Sequence, residues 1–278
     1  DYLIHCYNKP ILVWGNGIVM GGGLGLMAGA SHRVVTETSR IAMPEQTIGL
    51  YPDVGGSYFL HKMPAHVGLF LGLTSASINC EDAKLVSLAD HFVNADKYPE
   101  LVEALLNTKW GKTASLNHDK LSNLLIELDN NSSRMPKGNL KANLSLIQKL
   151  GEFETLQQQV DYILNLTTDD KWLQRAQKSL AHGCPLSCAL VSEQLKHSKG
   201  KNLAECFKME LGMSVRAGEV GEFQEGVRAL LIDKDGAPQW QFKSLADVPK
   251  EVVESFFANR FGEQHPLEPY FSQLNLQG

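Results

Sequence analysis

Two acidic side chains that each follow a proline lie eight residues apart in the first fifth of this 278-residue chain. They are Glu45 after Pro44 and Asp53 after Pro52. Proline fixes one backbone dihedral angle, so the chain leading into each acid has a restricted geometry. Two carboxyl groups can share the roles of general acid and general base, or one of them can attack as a nucleophile. The pair therefore predicts a site for proton transfer or covalent catalysis.

A run of three glycines precedes the two acids. Gly21, Gly22 and Gly23 stand where a predicted helix begins. Glycine has no side chain to keep a ligand away from the backbone, and the N–H groups at a helix N-terminus favour negative charge. A carbonyl oxygen acquires such charge when its carbon is attacked, so these amides predict an oxyanion hole. Together with the acids, they indicate chemistry on an acyl group.

The sequence around these residues resembles the enoyl-CoA hydratase/isomerase (crotonase) superfamily, whose members bind acyl-CoA thioesters. Within that superfamily it is most similar to the 3-hydroxyisobutyryl-CoA hydrolase branch. The resemblance is dense over residues 10–93 and 204–253 and thin between them. The segments that carry it, besides the three glycines, are 10–17, 32–35, 42–45, 48–50, 52–56 and 225–235, together with Trp240.

One position separates the activities within this superfamily. Hydratases carry a glutamate two positions after the last of the three glycines, where this chain has Gly25. Hydration would therefore lack one of its two carboxylates, whereas Asp53 stands where hydratases usually have glycine. The resemblance implies a thioester hydrolase of valine degradation that acts on 3-hydroxyisobutyryl-CoA or a close 3-hydroxyacyl-CoA. Dienoyl-CoA isomerases share the eight-residue spacing of Glu and Asp, so isomerisation and enoyl-CoA hydration remain the alternatives.

The hydrolase hypothesis gives each candidate residue a role. The amide of Gly22, next to Gly21, holds the thioester oxygen, and Glu45 either attacks the carbonyl to form an anhydride or activates a water molecule. Asp53 binds the 3-hydroxyl group or positions water and the leaving group. Lys234 either reaches a phosphate of coenzyme A or forms an ion pair with its acidic neighbours. No metal ion is expected, and no cofactor other than the coenzyme A carried by the substrate.

Two alternatives come from other classes of protein. Residues 23–28 fit the fingerprint G-x-G-x-x-A of a dinucleotide-binding turn, which would indicate an NAD-dependent dehydrogenase. This fingerprint also needs an acid at the end of the next strand to contact the ribose. Glu37 comes too soon after the glycines for that contact, and Glu45 follows a proline rather than ending a strand. The other alternative is a non-catalytic protein that binds acyl-CoA or acts as a scaffold. Taken singly, the glycines also fit tight packing and the acids also fit helix caps.

The composition indicates a globular protein with 43% hydrophobic residues and a formal net charge of -5. This charge argues against a nucleic-acid partner, and no apolar run is long enough to predict a membrane span. The five cysteines are scattered and odd in number, which predicts reduced thiols in a cytoplasmic protein. A mitochondrial matrix location would require a transit peptide upstream of Asp1. The expected partner is a small acyl-CoA substrate, and a homo-oligomer remains open.

The predicted fold class is α/β, with the crotonase-like (ClpP/crotonase) spiral of ββα units that the resemblance implies. Residues 1–96 are expected to form its core and residues 97–278 a helical C-terminal region, with a polar insertion around 109–143 outside the core. Members of the superfamily have further units before the position that corresponds to Asp1. The resemblance therefore implies that N-terminal units, which supply a second oxyanion amide, are missing from this sequence. The predicted strands are 11–14, 33–35, 40–42 and 90–93, and the predicted helices of the core are 2–7, 22–30, 55–61, 67–73 and 81–86.

Several side chains are expected to have structural rather than chemical roles. His32 is predicted to be structural or exposed, and Cys184 and Cys188 are predicted to be core or surface residues rather than metal ligands. The charged residues Glu222, Glu225 and Arg228 are expected on a solvated helix face or at helix caps. Apolar residues at helical spacing are expected in the core; they are Leu203, Phe207, Leu211, Phe223, Val227, Leu230 and Leu231.

Overall fold

The computed structural model describes residues 2–132 and 135–273. In these ranges every strand lies before residue 93 and the remainder of the regular structure is helical, as the sequence predicts. The strands are β1 (Leu12–Gly15), β2 (Ile18–Met20), β3 (His32–Val35), β4 (Arg40–Ala42) and β5 (His91–Phe92). The helices are α1 (Tyr2–His5), α2 (Gly22–Gly29), α3 (Gly56–His61), α4 (Val67–Thr74), α5 (Cys80–Leu85), α6 (Tyr98–Asn107), α7 (Ala114–Asn130), α8 (Leu140–Gln148), α9 (Leu156–Leu164), α10 (Lys171–His182), α11 (Pro185–Ser198), α12 (Leu203–Val220), α13 (Glu222–Val227), α14 (Lys250–Phe256) and α15 (Glu268–Gln273).

The described residues fall into two compact units. Unit one comprises those within 1–42 and 77–143, and unit two those within 43–76 and 144–278. The boundary expected near residue 96 lies where the strands end and the purely helical part begins. The division of the chain into two domains at this point stays a prediction. No helix in the described ranges is both long and apolar enough to cross a membrane.

The strands of unit one form two parallel sheets. The first has the order β1-β3-β5, with Leu12 opposite His32, and the second pairs β2 with β4, with Ile18 opposite Arg40. Parallel neighbours need a crossover connection, and α2 is the helix in both crossovers, from β1 to β3 and from β2 to β4. The consecutive strands β1 and β2, the helix α2 and the consecutive strands β3 and β4 follow the order of the ββα repeat that the resemblance implies.

The sequence does not predict β2. Its three residues stand between Gly17 and Gly21, whose φ angles are 71° and 51°. Glycine readily adopts positive φ angles, so these two residues form turns at either end of β2. The three residues left between the turns are too few to show the alternation of apolar and polar residues that predicts a strand. Pairing with β4, which is remote in sequence, defines this strand.

Helix α7 belongs to the core of unit one. Leu121, Leu125 and Leu128 on this helix are buried against Val34 of β3 and Leu101 of α6. The expectation that the segment 109–143 is an insertion outside the core is therefore wrong for this helix. Its overall polarity comes from the opposite face, while the leucines recur at the spacing of one helical face.

Unit two is built around α11, which packs against α3, α4 and α14. This helix is buried on most of its circumference, as expected for a helix at the centre of a bundle. The core next to it also takes one aromatic residue, Tyr51, from the segment before α3. The buried residues of this cluster are Tyr51, Cys184, Leu186, Ala189, Leu190, Met213, Ala217, Trp240, Phe242, Val253 and Phe256.

The apolar stripe predicted on α12 is not its buried face. Leu203, Phe207 and Leu211 are only half-buried, whereas Cys206 and Glu210 are buried. The other apolar residues expected in the core are not buried either: Phe223, Val227 and Leu230 are half-buried, and Leu231 is 60% exposed. The buried face of α12 carries the carboxyl group of Glu210, and an acid within a face weakens the hydrophobic periodicity that would identify it.

Candidate active site

The three glycines in unit one form an open turn at the start of α2. We call residues 21–25 the glycine turn. Gly21 has φ 51° and ψ -128°, and its carbonyl accepts the N–H groups of Leu24 at 2.9 Å and Gly25 at 3.1 Å. Gly22 and Gly23 are exposed, and a Cβ atom placed on either would meet no atom of the described chain within 4 Å. The first N–H groups of a helix have no carbonyl within the helix to bond, so these amides can face a ligand.

Glu45 begins a short 3₁₀ turn in unit two. We call residues 45–57 the acid turn. The 3₁₀ segment is Glu45–Ile48, and it ends at Gly49, which has φ 71°. Glu45 is 4% exposed, and the Oε2 atom of its carboxyl group has no hydrogen-bond partner among the described residues. A buried polar atom without a partner is costly to fold, so such an atom is a candidate for contact with a ligand.

The turn containing Glu45 packs closely against α13. A Cβ atom on Gly49 would lie 2.3 Å from the backbone oxygen of Glu222, and a Cβ atom on Gly226 would lie 2.2 Å from the backbone oxygen of Ile48. These distances are shorter than any van der Waals contact. Both positions therefore require glycine. One of them, Gly226, lies in the segment 225–235 that carries the family resemblance, and this packing explains why glycine stands there.

Asp53 lies on a strained part of the acid turn. Val54 has φ 49° and Gly55 has φ 88°, and the N–H of Gly56 donates to the carbonyl of Asp53 at 2.7 Å. A β-branched residue with a positive φ angle is an outlier, because its side chain crowds the backbone. Such conformations persist where the surrounding structure holds them, and they are concentrated at functional sites. The side chain of Asp53 is half-buried.

Both acids of the acid turn have raised pKa values. Burial and, to a smaller extent, the negative charge of Asp53 together raise the pKa of Glu45 to about 8. Burial also raises the pKa of Asp53 above its ordinary value. A carboxyl group with a pKa near neutrality can both take up and release a proton at the pH of a cell, as general acid–base catalysis requires.

Two buried side chains that sequence reasoning missed hold the acid turn. Glu210 of α12 is 4% exposed and accepts the N–H groups of Gly55 and Ser57, each at 2.9 Å. Gln194 of α11 donates to the carbonyl of Pro52 at 2.6 Å and to the hydroxyl of Ser57 at 2.7 Å. The sequence contained one usable signal for Glu210, since it stands four residues from Cys206 and three from Met213 on a face that is otherwise apolar.

The structure brings Glu45 and Asp53 together in unit two, whereas Gly21 and Gly22 lie in unit one. The roles proposed for these four residues stay predictions. Lys234 is exposed and has φ 56°.

The acids on either side of Lys234 bind an arginine. Asp233 and Asp235 form ion pairs with Arg228 at 2.6 Å and 2.7 Å, and Glu225 binds the same guanidinium at 2.8 Å. The expected solvated face therefore exists as an ion-pair cluster. Glu222 is different: it is 3% exposed and accepts the N–H groups of Gln241 and Phe242, so the expectation of a solvated position is wrong for it.

The histidine and the cysteines singled out in the sequence have structural surroundings. His32 is buried, and its two ring nitrogens lie 2.9 Å from the hydroxyl groups of Ser31 and Ser122, which confirms a structural position. All five cysteines are free thiols. Burial raises the pKa of Cys184 to about 11 and that of Cys188 to about 12, so both thiols are unreactive near neutral pH.

Comparison with known proteins decides the family. The sequence model of the enoyl-CoA hydratase/isomerase family matches residues 1–257. The chain belongs to this family. Similar relatives are the mitochondrial 3-hydroxyisobutyryl-CoA hydrolase of Danio rerio, 35% identical over 92% of this chain and 66% of that protein, and the mitochondrial 3-hydroxyisobutyryl-CoA hydrolase of Dictyostelium discoideum, 32% identical over 87% of this chain and 62% of that protein.

Two solved structures share the fold. An enoyl-CoA hydratase from Rhodobacter sphaeroides 2.4.1 is 32% identical and a carnitinyl-CoA dehydratase from Mycobacterium thermoresistibile is 30% identical, both with a TM-score of 0.78 over 92% of this chain and 70% of theirs. The predicted resemblance and the predicted fold class are thus confirmed.

This chain is shorter than the two relatives, and their names place them in a different compartment from the expected one. The chain spans 66% of the length of the first of these relatives and 62% of the second. Both names contain the word mitochondrial, so they give no support to the cytoplasmic location expected from composition. The family match likewise gives no support to the NAD-dependent dehydrogenase alternative.

Proposed function

We propose that this protein hydrolyses CoA thioesters and that its preferred substrate is 3-hydroxyisobutyryl-CoA. The observation that carries the proposal is the buried carboxyl group of Glu45, whose Oε2 has no partner among the described residues and whose pKa is raised to about 8. Gly25 stands where a hydratase has its second carboxylate, which favours hydrolysis over hydration. The names of the similar relatives give the proposed substrate.

Two routes lead from this carboxyl group to the products. As a general base, ionised Glu45 takes a proton from water while the water oxygen attacks the thioester carbon. The resulting oxyanion collapses, the carbon–sulfur bond breaks, and the thiolate of coenzyme A takes the proton from Glu45. As a nucleophile, a carboxylate oxygen of Glu45 attacks the carbon, coenzyme A leaves, and water then hydrolyses the anhydride. Both routes yield a free acid and a free thiol.

The other predicted residues have supporting roles in the proposed reaction. The amide of Gly22 stabilises the oxyanion, with Gly21 leaving the backbone accessible. Asp53 either binds the 3-hydroxyl group of the substrate or positions the water and the leaving group. Lys234 stays a candidate contact for a phosphate of coenzyme A. The proposal requires no metal ion and no cofactor beyond the coenzyme A of the substrate.

Two assays on the purified full-length protein test the proposal. One follows free thiol released from 3-hydroxyisobutyryl-CoA, and the other follows hydration of crotonyl-CoA. We expect thiol release to be much the faster reaction. Hydration as the dominant activity would refute the hydrolase assignment, and binding of acyl-CoA without either reaction would indicate the non-catalytic alternative.

A dienoyl-CoA isomerase is the second candidate. The observation that favours it is the pair of carboxyl groups with raised pKa values, because one group can remove a proton from the substrate while the other returns a proton at a second carbon. A shift of a dienoyl-CoA double bond without release of thiol would identify this activity.

For the compartment, the names of the relatives favour the mitochondrion over the cytoplasm. Fractionation of cells that express the full-length protein distinguishes the two locations. Recovery in the mitochondrial fraction is expected, and recovery in the cytosol alone would restore the expectation from composition.

A further inference from the structure

The strained part of the acid turn is held from a helix that is remote in sequence. The two carboxylate oxygens of Glu210 each accept one backbone N–H group, from Gly55 and from Ser57. These two N–H groups flank Gly56, where α3 begins. Hydrogen bonds to an ionised acceptor are about twice as strong as neutral ones, so an ionised Glu210 holds these two amides more firmly than a neutral side chain would.

The arrangement requires a carboxylate at this position. Both partners of Glu210 are donors, and a glutamine side chain offers only one acceptor atom beside an NH₂ group that would face a donor. A buried carboxylate near the charge of Asp53 is unfavourable in itself. An uncharged side chain would fill the same space without the cost of burying a charge. The glutamate at position 210 therefore indicates that two acceptor atoms are required there, one for each N–H group.

The two hydrogen bonds lie directly beside the backbone outlier at Val54. Val54 is placed between Asp53 and Gly55, and its φ of 49° is a conformation that relaxes unless its neighbours are fixed. Gln194 holds the carbonyl of Pro52, on the other side of Asp53. The backbone that carries Asp53 is therefore fixed at both ends by buried side chains of α11 and α12.

We propose that Glu210, in its ionised form, is a positioning residue for the thioester chemistry: by holding the amides of Gly55 and Ser57 it maintains the conformation of Val54 and thereby the placement of Asp53 beside Glu45. This inference rests on the proposed function. Glu210 acts through the backbone and is not itself assigned contact with the substrate.

Protonation of Glu210 releases this hold. Burial and the charge of Asp53 raise the pKa of Glu210 to about 7, while the two N–H bonds and the hydroxyl of Ser57 act in the opposite direction. Two further titratable groups near it are Cys206 on α12 and Tyr51, whose hydroxyl donates to the backbone carbonyl of Glu210. Below pH 7 one of the two oxygens carries a proton and ceases to accept an N–H group.

The test compares Glu210→Gln with a matched variant, Glu222→Gln. Glu222 is also a buried glutamate of unit two that accepts two backbone N–H groups, but these belong to Gln241 and Phe242. At about pH 9 we expect kcat of Glu210→Gln to fall at least about tenfold with KM within about twofold, because a displacement of about 1 Å in a positioned group can cost about a hundredfold in rate. Glu222→Gln should keep kcat within about twofold.

The dependence on pH separates positioning from general destabilisation. Glutamine resembles the protonated form of Glu210, so the ratio of wild-type kcat to Glu210→Gln kcat should approach one near pH 5.5. A ratio that stays constant between pH 5.5 and pH 9, in protein shown to be folded by circular dichroism, would overturn the role of the ionised form.

Hydrogen exchange tests the hold without using activity. In the wild-type protein, exchange of the Gly55 and Ser57 amides, corrected for the intrinsic effect of pH, should become faster as pH falls below 7, and at pH 9 it should be faster still in Glu210→Gln. Protection that does not change with pH would overturn the proposal even if the variant failed to fold. Absence of thiol release by the wild-type protein would instead refute the proposed function.

Discussion

The glycine turn of unit one and the acid turn of unit two are stabilised in different ways. The hydrogen bonds of the glycine turn close within four residues, from Leu24 and Gly25 back to Gly21, and a Cβ atom added at Gly22 or Gly23 has no close contact. The acid turn contains a residue in a strained conformation and is held by Glu210 and Gln194, more than 130 residues away in sequence.

Because of this difference, substitutions in the two turns should have different effects on activity and stability. At Gly22 and Gly23, which are exposed, a substitution is expected to alter what a ligand meets and to leave the packing of the protein intact. In the acid turn, the predicted catalytic acids share their backbone with groups held by α11, α12 and α13, so we expect activity and stability to change together at most of its positions. Glu45 is the expected exception, because its Oε2 has no hydrogen-bond partner among the described residues.

The largest effect is expected for Glu45→Gln. The change removes the proposed base or nucleophile while keeping the shape of the side chain, so kcat should fall by about 10²- to 10⁴-fold with KM little changed. The melting temperature should not fall, because burial already disfavours the charge that is removed. Steady-state kinetics and thermal unfolding measure both. Activity near that of the wild type would remove Glu45 from the mechanism.

A smaller loss is expected for Gly22→Val in the glycine turn. The new side chain should displace the thioester oxygen from its amide donor, and loss of one oxyanion donor costs about 10²- to 10³-fold in kcat. The melting temperature should be unchanged, because a Cβ atom at Gly22 meets no described atom within 4 Å.

The matched substitution in the acid turn is Gly49→Val. It should unfold or strongly destabilise the protein, since its Cβ atom would lie 2.3 Å from the backbone oxygen of Glu222. Equal melting temperatures for Gly22→Val and Gly49→Val would contradict the distinction between the two turns.

The third effect concerns substrate preference. Asp53→Asn should reduce the ratio of kcat/KM for a 3-hydroxyacyl-CoA to that for the plain acyl-CoA by about tenfold to a hundredfold, the usual value of a hydrogen bond to a charged group. Competition between the two thioesters measures the ratio directly. An equal loss on both substrates would assign Asp53 to the chemical step instead of to recognition of the hydroxyl group.

The sequence predicts the parts of this molecule that are determined locally. The three glycines, the two acids after prolines and most strand and helix positions of the first ninety residues are visible in short segments, and the structure places them as regular elements or turns. The resemblance to a known family adds the ββα repeat.

Other features depend on contacts between remote residues. Glu210 and Gln194 reach the acid turn only once α11 and α12 are packed beside it, and β2 is defined by β4 rather than by its own three residues. The buried face of α12 differs from the predicted one for a related reason, because a helix can carry apolar residues on more than one face and only tertiary packing selects among them. The prediction for α7 failed differently, because the polarity of the whole segment hid one apolar face.

The central claim is that Glu45 is a buried acid whose proton is exchangeable near neutral pH. Its carboxyl carbon can be titrated directly by nuclear magnetic resonance in protein labelled with ¹³C at glutamate, with Glu45→Gln used to assign the signal. We predict a midpoint near pH 8, lowered in Asp53→Asn because the variant removes a charge that disfavours ionisation of Glu45. A midpoint near the ordinary value of 4.5, unchanged in Asp53→Asn, would contradict the account.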